Sequence, residues 1–219
     1  GSETTNSLDL KDSTSLQEVN ISYSGITNLT LPTGGTLKKV DATNTKLTKI
    51  KVVAQTMLET LNLAECKDLA ELELTACDSL KTVIITGSAL TEVVITGCPS
   101  LEEIILSNNV RLSKVSFQGC ENIKKLDLSG CSLSNFAVYT GNESDSVTAL
   151  DLTGCPNLEE LYLNDCSAQV IKLHKDCSTI KVIDASKSRW MQTIYTKAGD
   201  TTIFSSTVHQ GVTEPVIDL

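Results

Sequence analysis

The chain has 219 residues and a formal net charge of −9, and 40% of its residues are hydrophobic whereas only 4% are aromatic. This length supplies a sizeable core, which must be built from aliphatic side chains. The acidic charge argues against nucleic acid and anionic membrane surfaces as partners, because both reward clustered Lys and Arg. The lack of any run of about 18 apolar residues argues against membrane insertion.

Short apolar triplets organise the chain. Residues 1–7 are predicted to be a flexible polar segment, and we interpret Gly1-Ser2 as standing where a signal or lipoprotein segment was removed. Triplets of the form apolar, variable, apolar then begin at positions 8, 19, 29, 40, 50, 61, 72, 83, 93, 104, 115, 126, 136, 150, 161, 171 and 183. These 17 half-repeats follow at steps of 10 or 11 residues, except for steps of 14 and 12. Such self-similarity predicts a solenoid over residues 8–185.

Each half-repeat has the pattern L-x-x-L-x-L-x-x-C, as in Leu58-Glu-Thr-Leu61-Asn-Leu63-Ala-Glu-Cys66. The period of two predicts a short strand whose flanking residues point inward and whose middle residue faces solvent. Thr, Ser, Gly, Asn and Asp cluster after the triplets, as expected where the chain turns. One half-repeat cannot bury its apolar groups alone, so stability requires stacked neighbours.

The motif resembles the leucine-rich repeat family through Leu58, Leu61, Leu63, Cys66 and Leu69 and their counterparts over roughly residues 8–185. Two segments fill about 21–22 residues here, which is similar to a nested bacterial subtype found in secreted and surface proteins of gut Bacteroides-like bacteria. The fold class expected is a mainly β solenoid with short strands on both sides of each coil and weak curvature. The resemblance implies protein binding or adhesion at an extracellular or cell-surface location, including lipid anchoring of a precursor.

The middle residues of alternate triplets predict two solvent-facing rows. One row is Asn20, Asp41, Asn62, Ile84, Ile105, Asp127, Asp151 and Lys172, and the other is Asp9, Thr30, Lys51, Glu73, Val94, Ser116, Ala137, Tyr162 and Asp184. Neighbouring exposed isoleucines can mark a contact site, although β-propensity alone also explains them. We therefore select candidate partner-binding residues, which are Ile84, Ile105, Asp127, Asp151 and Tyr162.

Two segments depart from the repeat. The 14-residue step contains a link over residues 138–146 that is longer than the others, and such insertions emerge as loops that are either tolerated or used for binding. After residue 185 the pattern decays, and residues 186–219 hold the only Trp. We expect a C-terminal cap there, with a hairpin and a tail, because a solenoid end leaves its core open.

Eight cysteines follow the triplets, seven of them three residues after the last apolar position. We predict a ladder of buried thiols, with Cys77, Cys98 and Cys120 on one side and Cys131 and Cys155 on the other. In-register parallel strands hold equivalent Cβ atoms about 4.8 Å apart, beyond the usual disulfide range. No C-x-x-C pair points to zinc, and we expect neither metal nor cofactor.

Catalysis finds little support in the sequence. His174 precedes Cys177 closely but occupies a polar corner position, and no nucleophile-elbow, metalloprotease or phosphate-loop motif occurs. We therefore expect no enzyme but a module that binds a protein partner or a host surface component. The alternatives are a glycan-binding module, disfavoured by the scarcity of aromatic residues on which sugars stack, and a spacer that carries another domain.

Overall fold

The computed structural model is a parallel β-solenoid, as the sequence predicts. It describes residues 6–133, 137–138, 147–152, 155–163, 170–173, 182–184 and 193–195. All regular elements in these ranges are strands: β1 (Ser7–Asp9), β2 (Glu18–Asn20), β3 (Asn28–Thr30), β4 (Lys39–Asp41), β5 (Lys49–Val53), β6 (Thr60–Asn62), β7 (Glu71–Thr75), β8 (Thr82–Ile84), β9 (Glu92–Thr96), β10 (Glu103–Ile105), β11 (Lys114–Gln118), β12 (Lys125–Asp127), β13 (Ala137–Val138), β14 (Val147–Leu152), β15 (Glu160–Tyr162), β16 (Val170–Leu173), β17 (Val182–Asp184) and β18 (Thr193–Tyr195).

Alternate strands enter different sheets. The long sheet has eight parallel strands in the order β2, β4, β6, β8, β10, β12, β15, β17. The short sheet has six parallel strands in the order β1, β3, β5, β7, β9, β11, and a four-stranded sheet runs β13, β14, β16, β18, with β14 beside β11. Among the described residues, no helix is long and apolar enough to cross a bilayer.

The inward residues of each triplet stack on their equivalents one coil away. Leu61 pairs in register with Val40 on one side and with Val83 on the other, and all three are fully buried. Paired positions in these regular coils lie 21 or 22 residues apart. Because each aliphatic side chain contacts its equivalents above and below, the core is one continuous column between the two sheets.

The regular spacing changes after β12. This strand pairs with β15, so that Lys125 lies opposite Glu160, 35 positions later. The intervening β13 pairs antiparallel with β14, which makes it unlike the parallel strands on either side. The predicted alternation of faces is therefore wrong from this point. Tyr162 and Asp184 belong to the row that begins at Asn20, while Asp151 and Lys172 lie in the four-stranded sheet. Most of the 138–146 link and all of residues 196–219 lie outside the described residues.

Buried polar side chains connect the coils at the turns that follow the long-sheet strands. The fully buried Asn109 accepts hydrogen bonds at Oδ1 from Ser88 N and Oγ at 2.7 and 2.6 Å. Its Nδ2 donates to the carbonyls of Ile85 and Leu106 at 2.6 and 2.7 Å. This side chain thus provides hydrogen-bond partners for backbone groups of two successive coils. Buried polar groups in folded proteins almost always have such partners.

We expect Asn109→Ala to lower the free energy of unfolding by about 3 kcal/mol, because it leaves buried donors and acceptors without partners. Urea denaturation followed by circular dichroism measures this change. The matched control is Asn122→Ala, since Asn122 Nδ2 also donates to a carbonyl one coil away, that of Pro99, but at an exposed position. If both variants lost the same free energy of unfolding, the burial of the Asn109 hydrogen bonds would not explain their contribution.

Candidate functional site

The outward row of the long sheet contains the selected residues that the structure brings together. Ile84 pairs in register with Ile105, Ile105 with Asp127, and Asp127 with Tyr162. All four side chains are half-buried. Three strand steps from Ile84 to Tyr162 correspond to about 14 Å. Asp151, the fifth selected residue, lies on β14 and is therefore not part of this row.

Most other members of the row have a local structural task. Asn20 Oδ1 accepts hydrogen bonds from Ser22 N and Oγ at 3.1 and 2.8 Å, and Asp41 makes the same pair of bonds with Thr43. The side chains of Asn62 and Asp127 accept the backbone N–H two residues on, from Ala64 and Ser129. These side chains form Asx turns, which fix the chain as it leaves the strand.

Ile84 and Ile105 depart from that pattern. An isoleucine has no oxygen with which to close an Asx turn, although Thr86 and Ser107 follow these residues as Ser22 and Thr43 follow the polar ones. The two side chains form an adjacent apolar pair in an otherwise polar row. Local turn formation does not account for them, which distinguishes them from Asp127.

Charged residues flank this apolar pair on one side. Where the strands begin, Lys125 pairs with Glu103 at 2.9 Å and Lys124 with Glu102 at 3.3 Å, and Lys81 pairs with Glu59 at 3.2 Å. These side chains are 35–57% exposed, so each pair contributes at most about 1 kcal/mol to stability. An apolar centre with a polar, charged rim is the arrangement of many protein interfaces.

Tyr162, which follows Asp127 in the row, is held in place by a residue of its own strand. Its hydroxyl donates to Glu160 Oε2 at 3.0 Å. This hydrogen bond, followed by burial, raises the pKa of the Tyr162 phenol. The ring therefore has a defined position, with its hydroxyl directed toward the charged residues where the strands begin.

A groove on the short sheet escaped the sequence analysis. β3 pairs with β5 only at Asn28 and Lys49, whereas β5 pairs with β7 over five positions. A groove of about 750 Å³ opens there, lined in part by Thr30, Pro32 and Leu72. Pro32 was the available signal, because proline lacks the N–H that continues a ladder.

The cysteines at the short-sheet turns form what we call the thiol file, namely Cys77, Cys98 and Cys120 at equivalent positions of consecutive coils. All three are fully buried thiols, which confirms this part of the predicted ladder. Hydrogen bonds from Cys120 and Cys77 lower the pKa of the central Cys98 thiol. The bonds to Cys98, followed by burial, raise the pKa of each outer thiol.

Cys155 was assigned to the wrong side. It lies close enough to Cys120 to raise the pKa of that thiol, and it follows β14, which is beside β11. The unexpected pairing of β12 with β15 explains the error, because it exchanges the two sides of the later coils. Cys66 and Cys131 are buried at the long-sheet turns, while His174, Cys166 and Cys177 lie outside the described residues.

Within the described ranges, no group of three or more His, Cys, Asp or Glu residues is placed to hold a metal ion. No family model matches the chain, and a search of curated proteins finds no match.

We expect Glu160→Gln to shift the titration of Tyr162 to lower pH. The neutral amide removes the negative charge and the charged acceptor that stabilise the protonated phenol, so the raised pKa falls toward its ordinary value. Phenolate absorbance, measured as the difference from a Tyr162→Phe background, reports this residue alone. The control is Glu18→Gln, because Glu18 is the first residue of β2 as Glu160 is of β15, but at the far end of the long sheet. This control should leave the Tyr162 titration unchanged, and a shift of equal size would refute the contact between Tyr162 and Glu160.

Proposed function

We propose that this chain is a non-catalytic protein-binding module, and that its binding surface is the long-sheet row from Ile84 to Tyr162. The single observation that carries the proposal is the apolar pair Ile84 and Ile105, which replaces turn-forming Asn or Asp in the centre of the row. A residue that gives up a local stabilising bond for an apolar surface is better explained by contact with a partner.

The extent of the row also favours a protein over a small ligand. A specific protein interface buries about 800 Å² on each partner, which two half-buried isoleucines cannot supply. The interface must therefore extend along the row, through Asp127 to Tyr162, and across the ion pairs beside it. A solenoid offers such a long, rigid surface because each coil adds one row position at a fixed spacing.

The repeat pattern supports a relationship to nested bacterial leucine-rich repeat proteins, and we extend the proposal on that basis. Adhesion at a bacterial cell surface, or after secretion, is the setting that this relationship favours. The partner would then be a surface or matrix protein of a host.

The test uses a double variant that the protein itself suggests. In Ile84→Asn with Ile105→Asn, each new side chain is the residue type found at Asn62, one coil before Ile84, and can close an Asx turn. We expect unchanged thermal stability, but at least tenfold weaker binding to any matrix protein that the wild-type chain captures from a purified panel, because burying each isoleucine contributes about 1.5–3 kcal/mol. Surface plasmon resonance provides the affinities.

Val94→Asn is the matched control, because Val94 is half-buried at the equivalent position of the short sheet. It should bind like the wild-type chain. Unchanged affinity in the double variant, or equal weakening in Val94→Asn, would overturn the surface assignment. Binding to a glycan array in preference to the protein panel would favour the glycan-binding alternative.

A further inference from the structure

The thiol file differs from the cysteines of the opposite turns in what its sulfur atoms contact. Cys66 Sγ lies 3.1 Å from the carbonyl of Ala42 and 3.3 Å from Thr45 Oγ1. In the file, sulfur-to-carbonyl distances are longer, from 3.5 to 3.8 Å. Each thiol of the file stands two residues beyond a member of the in-register series Thr75, Thr96 and Gln118, so Cys98 lies in the row between two other cysteines. The file is therefore a row of stacked, buried thiols that are only loosely held by backbone carbonyls.

The spacing of the file matches one kind of metal coordination. Zinc sites require four ligands converging on one point, which thiols arranged in a line do not offer. A soft ion that binds two collinear thiolates needs only two adjacent thiols. With metal–sulfur bonds of about 2.3 Å, as for zinc, such an ion spans about 4.6 Å. Adjacent strands are about 4.8 Å apart, and the strands before these cysteines pair in register, so the backbone places successive thiols about this far apart.

We propose that the thiol file binds a soft, thiophilic metal ion between two collinear thiolates, Cys98 and either Cys77 or Cys120. Soft ions select thiolate ligands over oxygen. A dry, fully buried site favours a complex without net charge, which a divalent ion satisfies. Mercuric ion is the probe of this chemistry: Hg²⁺ and two Cys–SH groups give Cys–S–Hg–S–Cys and release two protons to solvent.

The ion has a short route to the file, although the thiols themselves are buried. Cys77 lies in a turn between the exposed Ala76 and Asp78, and Cys120 lies between the exposed Gly119 and Glu121, whereas only one neighbour of Cys98, Pro99, is exposed. Opening one turn therefore exposes a thiol without unfolding the column of aliphatic residues. Turns of this kind open locally at lower free energy than the core.

The experiment measures mercury retained by the reduced full chain in the presence of excess glutathione. A monothiol competitor strips ions held by a single cysteine, whereas two preplaced thiolates retain the ion through their high effective concentration. X-ray absorption on the wild-type chain should show two sulfur neighbours for each retained ion.

The variant Cys98→Ala with Cys155→Ala separates Cys77 and Cys120 by two strand steps, about 9.6 Å, and leaves neither with an adjacent thiol in this row. We expect it to retain at least one equivalent less than the wild-type chain. Cys66→Ala with Cys131→Ala removes the same number of thiols from the opposite turns and should retain as much as the wild-type chain. Equal losses in both variants, or one sulfur neighbour per ion in the wild-type chain, would overturn the proposal.

Discussion

In-register stacking of each coil on the one before it is the constraint on which the structure depends. Strands of the long sheet are parallel and aligned residue for residue, so every side chain meets its own counterpart from the adjacent coils. Each position along the coil must therefore hold a residue that tolerates a near-identical neighbour at about 4.8 Å. Aliphatic groups meet this demand in the core, alternating Lys and Glu meet it at the strand starts, and hydroxyls, amides and thiols meet it at the turns.

The same constraint separates structural from functional positions. Asp127 and Ile105 are neighbours in one row, yet the carboxylate closes a turn while the isoleucine closes none. Because several residues of the row close an Asx turn, the residues that do not are informative. Likewise, Cys66 donates to a backbone carbonyl at 3.1 Å, whereas Cys98 interacts with other thiols. Residues of one type at equivalent positions thus differ in their partners, and those partners indicate which positions deserve functional tests.

Much of this fold could be predicted from sequence, because a period of two within strands and of 10 or 11 residues between them determines which residues face the core. Leu61 and Leu63 lie inward as their spacing requires. The irregular step could not be interpreted in the same way, since apolar alternation at Phe136 and Ala137 is compatible with either strand direction. The antiparallel pairing of β13 with β14 depends on long-range contacts. The Asx turns could be recognised in Asn20-Ile21-Ser22 and Asp41-Ala42-Thr43. Pro32 marks the position of the groove on the short sheet, but no residue pattern indicates the width of that groove.

The change of side after β12 has a consequence for how such a chain can diversify. Both kinds of half-coil contribute the same inward aliphatic pattern, so the core accepts either one at either sheet. Shifting the chain by a single half-coil therefore leaves the interior unchanged but exchanges the two exterior surfaces for every later coil, as it places Tyr162 where Asp151 would otherwise stand. Gain or loss of about eleven residues thus moves every later half-repeat to the opposite sheet. An evolving solenoid can in this way present new combinations of side chains while its core stays the same.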